Sequence, residues 1–142
     1  MIVAHILDQK GREVATTQPH RTMGEVVKIL GERRIGALVV TSADNSILGI
    51  VSERDVVKAI AKGGAEALGN PVSRHMTAKV VTCSSDDHID TLMEAMTAGK
   101  FRHMPVADRG KLTGIVSIGD VVKARLELMA QESQALKDYI TM

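Results

Sequence analysis

The sequence predicts a mixed α/β fold of the α+β type: two copies of a strand–helix–strand–strand–helix unit, related by a pseudo-twofold, followed by a terminal helix. Three observations lead there. The stretch Gly49–Ala59 recurs as Gly114–Ala124 with nine of eleven positions identical, and two copies at this spacing are too few and too long for a solenoid. Within each copy the apolar pattern switches between helical spacing and short continuous runs. At 142 residues, 44% hydrophobic and 25% charged, the chain is long enough to bury an aliphatic core without covalent staples.

The elements follow in order. Thr22 followed by Glu25 reads as a capping box, and Met23, Val26, Val27 and Leu30 recur at helical spacing behind it. Ala37–Val40 and Ile47–Val51 are apolar runs around a Ser-Ala-Asp-Asn-Ser turn, so they read as a hairpin. Ser52 then stands where a strand ends and a helix begins, with Val56, Val57 and Ile60 as the expected buried stripe. In the second copy Ser85 and Asp86 are the cap candidates ahead of Ile89, Leu92, Met93 and Met96. Met104–Val106 and Leu112–Val116 form the second hairpin, and Ser117 opens a helix with Val121, Val122 and Leu126 as its stripe. Val72–Met76 reads as a short helical lead-in to the second copy, with Ile2–Lys10 its counterpart before the first. Beyond Ala124 the spacing of Leu126, Met129, Leu136 and Ile140 continues as a long terminal helix needing something to pack on. The expected boundaries are 1–67 for the first copy with its lead-in, 68–126 for the second, and 127–142 for the extension.

Composition removes several functions. A net charge of +1 supplies no electrostatic footprint for nucleic acid, and one Phe, one Tyr and no Trp give no stacking platform for single strands. No segment reaches the apolar length of a spanning helix, and the first eleven residues do not read as a signal peptide. The single cysteine, Cys83, rules out an internal disulfide and fits a reducing compartment, so a cytoplasmic protein without membrane association is expected. Cys83 itself reads as a small buried residue at a strand end. His5, His20, His75 and His88 lack metal-ligand spacing, and no nucleophile–base pair or phosphate-binding glycine loop is visible. Neither a metal site nor catalysis is expected.

What remains is the doubled Ser-x-x-Asp. A serine ending a strand caps the next helix, and an aspartate three residues on lies in the first turn beside backbone N–H groups and the positive end of the dipole, where it stays ionised. Its two oxygens can accept from the vicinal hydroxyls of a ribose, while the serine hydroxyl and first-turn amides can hold a phosphate or sugar oxygen. A single such element is ordinarily only a helix cap. Two in matching strand–helix context, Ser52 with Asp55 and Ser117 with Asp120, raise the ligand reading above that one. Arg33 and Arg34 read as cover for a helix C-terminus.

The doubled Gly-Ile-Val-Ser-x-x-Asp-Val-Val, the stretch Arg102-His103-Met104-Pro105-Val106, and Met76-Thr77 with Val81-Thr82 resemble a tandem pair of CBS domains, the Bateman module, from about Ile6 to Leu126. Stand-alone bacterial CBS-pair proteins are the nearest likeness. The first copy departs from the pattern, with Ile35-Gly36-Ala37-Leu38-Val39 where the second has Phe101-Arg102-His103-Met104-Pro105. The resemblance implies a regulatory module holding adenosine-containing nucleotides in the cleft between the repeats, AMP foremost, with ADP, ATP or NAD(H) as further ligands and no obligatory cofactor. It places the ribose on Ser52 and Asp55 and on Ser117 and Asp120. Thr16, Thr17, Gly36 and Ala37 would line the first position, and Thr82, Met104 and Pro105 the second. Arg102 and His103 would face phosphate in the second copy, while the first would rely on Arg54 or on residues from its neighbour. It also implies a homodimer and a regulated protein not identified by sequence. The alternative is a ligand-free dimerisation scaffold with vestigial clefts.

Overall fold

The structure, a computed structural model, describes residues 1–141. Its elements run α1 (Val3–Lys10), β1 (Thr16–Thr17), α2 (Met23–Arg33), β2 (Ala37–Thr41), β3 (Ile47–Ser52), α3 (Glu53–Gly63), a 3-10 turn over Gly64–Gly69, α4 (Val72–His75), α5 (Ile89–Gly99), β4 (His103–Asp108), β5 (Lys111–Ser117) and α6 (Ile118–Thr141). They gather into two compact units. One holds Glu13–Val81 with Asp108–Thr113, the other Met1–Arg12, Thr82–Ala107 and the chain from Gly114 onward. The mixed helix-and-sheet composition and the terminal helix are those expected of an α+β repeat.

In the first-copy unit, β1 pairs in parallel with β2 and β2 in antiparallel with β3, with Ala37 opposite Ser52 and a bulge between Val40 and Thr41. Every residue of β2 is buried. Thr22 caps α2 by accepting from the Glu25 N–H at 3.2 Å, but the Glu25 carboxylate lies toward Arg21, so only half of the expected capping box forms. Met23, Val26 and Leu30 then meet Leu38, Val40 and Val51 in the core. Arg34 ends α2 in the left-handed conformation, its N–H bonded to the Leu30 carbonyl.

The second-copy unit repeats this plan around Ile89, Leu92, Met96, Met104, Val106 and Val116. Lys100 takes the left-handed position after α5 that Arg34 takes after α2. Two local differences stand out. The expected first strand reduces to an isolated parallel bridge between Cys83 and Val106, because Ser84 to Asp87 turn the chain into α5 directly, the Asp87 carboxylate accepting from the Ser84 N–H at 2.8 Å. The α5 N-cap is His88, without a side-chain bond, rather than Ser85 or Asp86.

The lead-in helices pack crosswise. α1 sits in the unit of the second copy, where the Val3 N–H donates to the Asp87 carbonyl and the Ile89 N–H to the Met1 carbonyl. α4 sits in the unit of the first, where the Met23 N–H donates to Asn70 and the Val72 N–H to Arg21. The repeated glycines explain the fit. A Cβ on Gly114 would lie 2.8 Å from the Leu7 Cδ2, and one on Gly49 would lie 2.7 Å from the Met76 Sδ and 2.9 Å from the Thr77 carbonyl oxygen. Each glycine therefore opens the strand face on which a lead-in helix rests.

Of the six residues expected as the apolar stripes of the last helices, only Val56 and Val121 turn inward. Val121 and Ala124 are buried and Val56 is half-buried, but Val57, Ile60, Val122 and Leu126 are exposed. One residue after Val56 or Val121 lies about 100° further round the helix, beyond the reach of the sheet beneath. Among the described residues no helix is long and apolar enough to cross a membrane.

Candidate functional site

The two Ser-x-x-Asp elements fold into the same corner. β3 ends at Ser52 and β5 at Ser117, and a helix starts at the next residue in each case. In the second-copy unit the Ser117 N–H donates to Asp120 Oδ2 at 2.9 Å and the Asp120 N–H donates to Ser117 Oγ at 3.1 Å, a full capping box. In the first-copy unit Asp55 Oδ2 accepts from the Ser52 N–H at 2.9 Å and from the Ser52 hydroxyl at 3.2 Å. One carboxylate oxygen is thus committed to the helix end in both copies, correcting the expectation that both stand ready for a ligand. Among the described residues Oδ1 of Asp55 and of Asp120 accepts no hydrogen bond. With two lone pairs on that oxygen, each acid can still take a pair of neighbouring hydroxyls.

A second backbone tie fixes each corner. The Glu53 N–H donates to the Gly36 carbonyl at 3.0 Å and the Ile118 N–H to the Arg102 carbonyl at 2.8 Å. These bonds bring Gly36 and Ala37 to Ser52 and Asp55, and Arg102 and His103 to Ser117 and Asp120. The cross-strand partner of Ala37 is Ser52 itself. Thr16 and Thr17 stand opposite Val39 and Val40, Thr16 exposed and Thr17 buried. Thr82 is exposed beside Cys83, whose N–H donates to the Pro105 carbonyl at 3.1 Å. Met104 and Pro105 are buried, and the Met104 side chain belongs to the core cluster, so this pair offers backbone rather than side-chain surface. Arg54 and Arg102 are both exposed.

Lys10, at the end of α1, is the site residue that the sequence did not single out. Its Nζ donates to Asp120 Oδ2 at 2.7 Å and to the Ile115 carbonyl at 2.9 Å. Partial burial acts to raise the Asp120 carboxyl, but the Lys10 ammonium and the Ser117 N–H outweigh it and hold the group below its ordinary range. A small depression, open to solvent, lies against this pair and is walled by Ile6, Lys123 and Glu127. The two corners therefore differ in charge: Asp120 carries a bound cation, whereas Asp55 bonds only to its own N-cap residue among the described residues. Lys10 and Asp120 are 110 positions apart, and only the crosswise placement of α1 joins them. Among the described residues no three His, Cys, Asp or Glu side chains come together as a metal cluster.

Comparison with known proteins agrees with the doubled geometry. The family model described as the CBS domain matches twice, over residues 7–62 and 72–127. An uncharacterized 17.7 kDa protein of Acidianus ambivalens is 35% identical over 125 residues, spanning 84% of this chain and 74% of its own length. Among solved structures, the CBS-domain containing protein ATU1752 from Agrobacterium tumefaciens is 52% identical with a TM-score of 0.86, covering 88% of this chain and 99% of that one. The CBS-domain protein PAE2072 from Pyrobaculum aerophilum, solved complexed with AMP, is 27% identical with a TM-score of 0.76, covering 84% of this chain and 89% of that one. With two matches that together span most of its length, the chain belongs to the CBS-domain family and carries two of its domains in tandem.

Proposed function

We propose that the chain is a cytoplasmic regulatory module that binds adenosine-containing nucleotides, AMP foremost, and passes their occupancy to its own assembly or to a regulated protein. The observation that supports this reading is the pair of matching corners, each with one carboxylate oxygen spent on the helix cap and the other without a donor among the described residues. Asp55 and Asp120 would take the ribose hydroxyls. The exposed Arg102, with Lys10 and Lys123 beside Asp120, would supply cations to phosphate in the second-copy unit. The AMP complex of the Pyrobaculum aerophilum relative supports an adenine nucleotide as the ligand class. Regulation would arise from unequal affinity for two arrangements of the protein, since equal affinity shifts no population. A homodimer is part of the proposal, and the exposed Val57 and Val122, which occupy the same position in the two copies, supply apolar surface for it.

Thermal denaturation with AMP, ADP, ATP and NAD tests the reading. Ligand at about a hundred times its Kd stabilises the native state by about 2.7 kcal/mol and raises the Tm accordingly. Asp55→Ala and Asp120→Ala each lose part of the rise and the double variant loses all of it. No rise with any nucleotide would leave the module a dimerisation scaffold, a reading consistent with the capping role that both acids already play. Turnover of a nucleotide by the pure protein would instead make it an enzyme.

A further inference from the structure

The outer face of α6 carries a second pattern that the nucleotide sites do not use. Val122, Leu126, Met129, Ser133, Leu136 and Ile140 follow one another at alternating steps of four and three residues, and the five apolar members are each 43% to 71% exposed. This is the 3.5-residue period of a coiled-coil seam rather than the broader stripe of a helix lying on a globular core. The side of the helix that meets its own unit is a different one, made by Val121 and Ala124 with Ile118 and Leu128 packed beside them. From the proposed homodimer we infer its interface: α6 pairs with α6 of a second copy, parallel and in register, through this seam.

The flanking charges choose the occupant and its direction. Leu126, Ser133 and Ile140 take the a positions of the heptad and Val122, Met129 and Leu136 the d positions, which puts Glu132 at g and Lys123 and Lys137 at e. In a parallel pair each g residue faces the e residue five positions on in the other helix, so Glu132 meets Lys137 of the second copy, twice by symmetry. An antiparallel pair with the same seam sets Glu132 against Glu132 and Lys123 against Lys137, both repulsive. The parallel pair also stacks Ser133 on Ser133, and a small polar layer of this kind fixes register at some cost in stability.

Single-cysteine cross-linking of the full chain tests the arrangement, the wild type with its one buried cysteine serving as the blank. Under mild oxidation Ser133→Cys and Leu126→Cys each run as a covalent dimer, while Gln131→Cys, on the outer face, stays monomeric. Absence of cross-linking at both seam positions overturns the inference, as does equal cross-linking at position 131. Failure of Leu126→Cys alone, with cross-linking when it is mixed with Leu136→Cys, shows an antiparallel pair and overturns the register. Glu132→Lys raises the dimer dissociation constant about fivefold, because two ion pairs become two repulsions, and adding Lys137→Glu restores it. An unchanged constant in Glu132→Lys counts against the pairing. A chain that sediments as a dimer yet does not cross-link refutes this interface and leaves the proposed dimer standing. A monomeric chain refutes both.

Discussion

Lys10 shows how one side chain sets two sites apart that the repeat would make equal. Its ammonium sits on the Asp120 carboxylate and the Ile115 carbonyl, and the acid, whose side chain is only a quarter exposed, is held below its ordinary value of 3.8. Folding lowers this pKa. The pair therefore contributes stability above 3.8 that is lost as the pH falls through the lowered value. Lys10→Met removes that contribution: in urea titrations the gap between wild type and variant is widest at neutral pH and narrows as Asp120 takes up its proton. A gap independent of pH would mean that Lys10 acts through packing alone. The glycines make a second residue-scale prediction. Gly114→Ala pushes a methyl into Leu7, and Gly49→Ala pushes one into Met76 and the Thr77 carbonyl. Each change costs about 1–3 kcal/mol as an overpacked contact, with Gly49→Ala the more damaging because a backbone oxygen yields less than a leucine methyl. Chemical denaturation measures both, and a neutral Gly49→Ala would contradict the packing described for α4.

At the scale of elements, the starts of α2, α3 and α6 and the two hairpins were legible because their causes are local. Thr22 before Met23, and the two Ser-x-x-Asp corners, announce helix N-termini through groups that bond within three residues. Ser117→Ala removes one half of the α6 box and lowers stability by about 0.5–2 kcal/mol, read as a drop in denaturation midpoint. No change would mean that the Arg102 carbonyl alone holds the corner. What sequence could not give was set by distant packing. Nothing near Lys10 marks it as the partner of Asp120, because the exchange of α1 and α4 between the two units is a property of tertiary contacts. Helical spacing alone likewise placed Val57 and Val122 in the core, whereas the structure exposes them. Period tells that a helix has an apolar side; the width of the surface beneath decides how many of those residues it covers. The second copy's missing first strand has the same character: Thr82 and Cys83 match Thr16 and Thr17 in position, but the turn at Ser84–Asp87 ends their pairing after one bridge.

For the whole molecule, duplication is the organising fact. Two family matches, two cores, two crosswise lead-ins and two capped corners repeat one design. The departures from symmetry, Lys10 on one acid and Gly36-Ala37 where the other copy has Arg102-His103, give the copies unequal chemistry. Ligands that differ in charge should therefore divide between them. Titrating Arg102→Ala with AMP and with adenosine separates the contributions: the variant loses affinity for AMP and retains it for adenosine, and equal loss for both would remove the phosphate role.

The proposed recognition of the sugar by the Asp55 and Asp120 carboxylates is the central claim, and it is reached most directly by calorimetric titration of the wild-type protein with AMP and with 2′-deoxy-AMP. A charge-assisted hydrogen bond contributes about 1.5–3 kcal/mol, so loss of the 2′-hydroxyl weakens binding by about tenfold or more. Equal affinity for the two nucleotides, or heat from neither, would contradict the account.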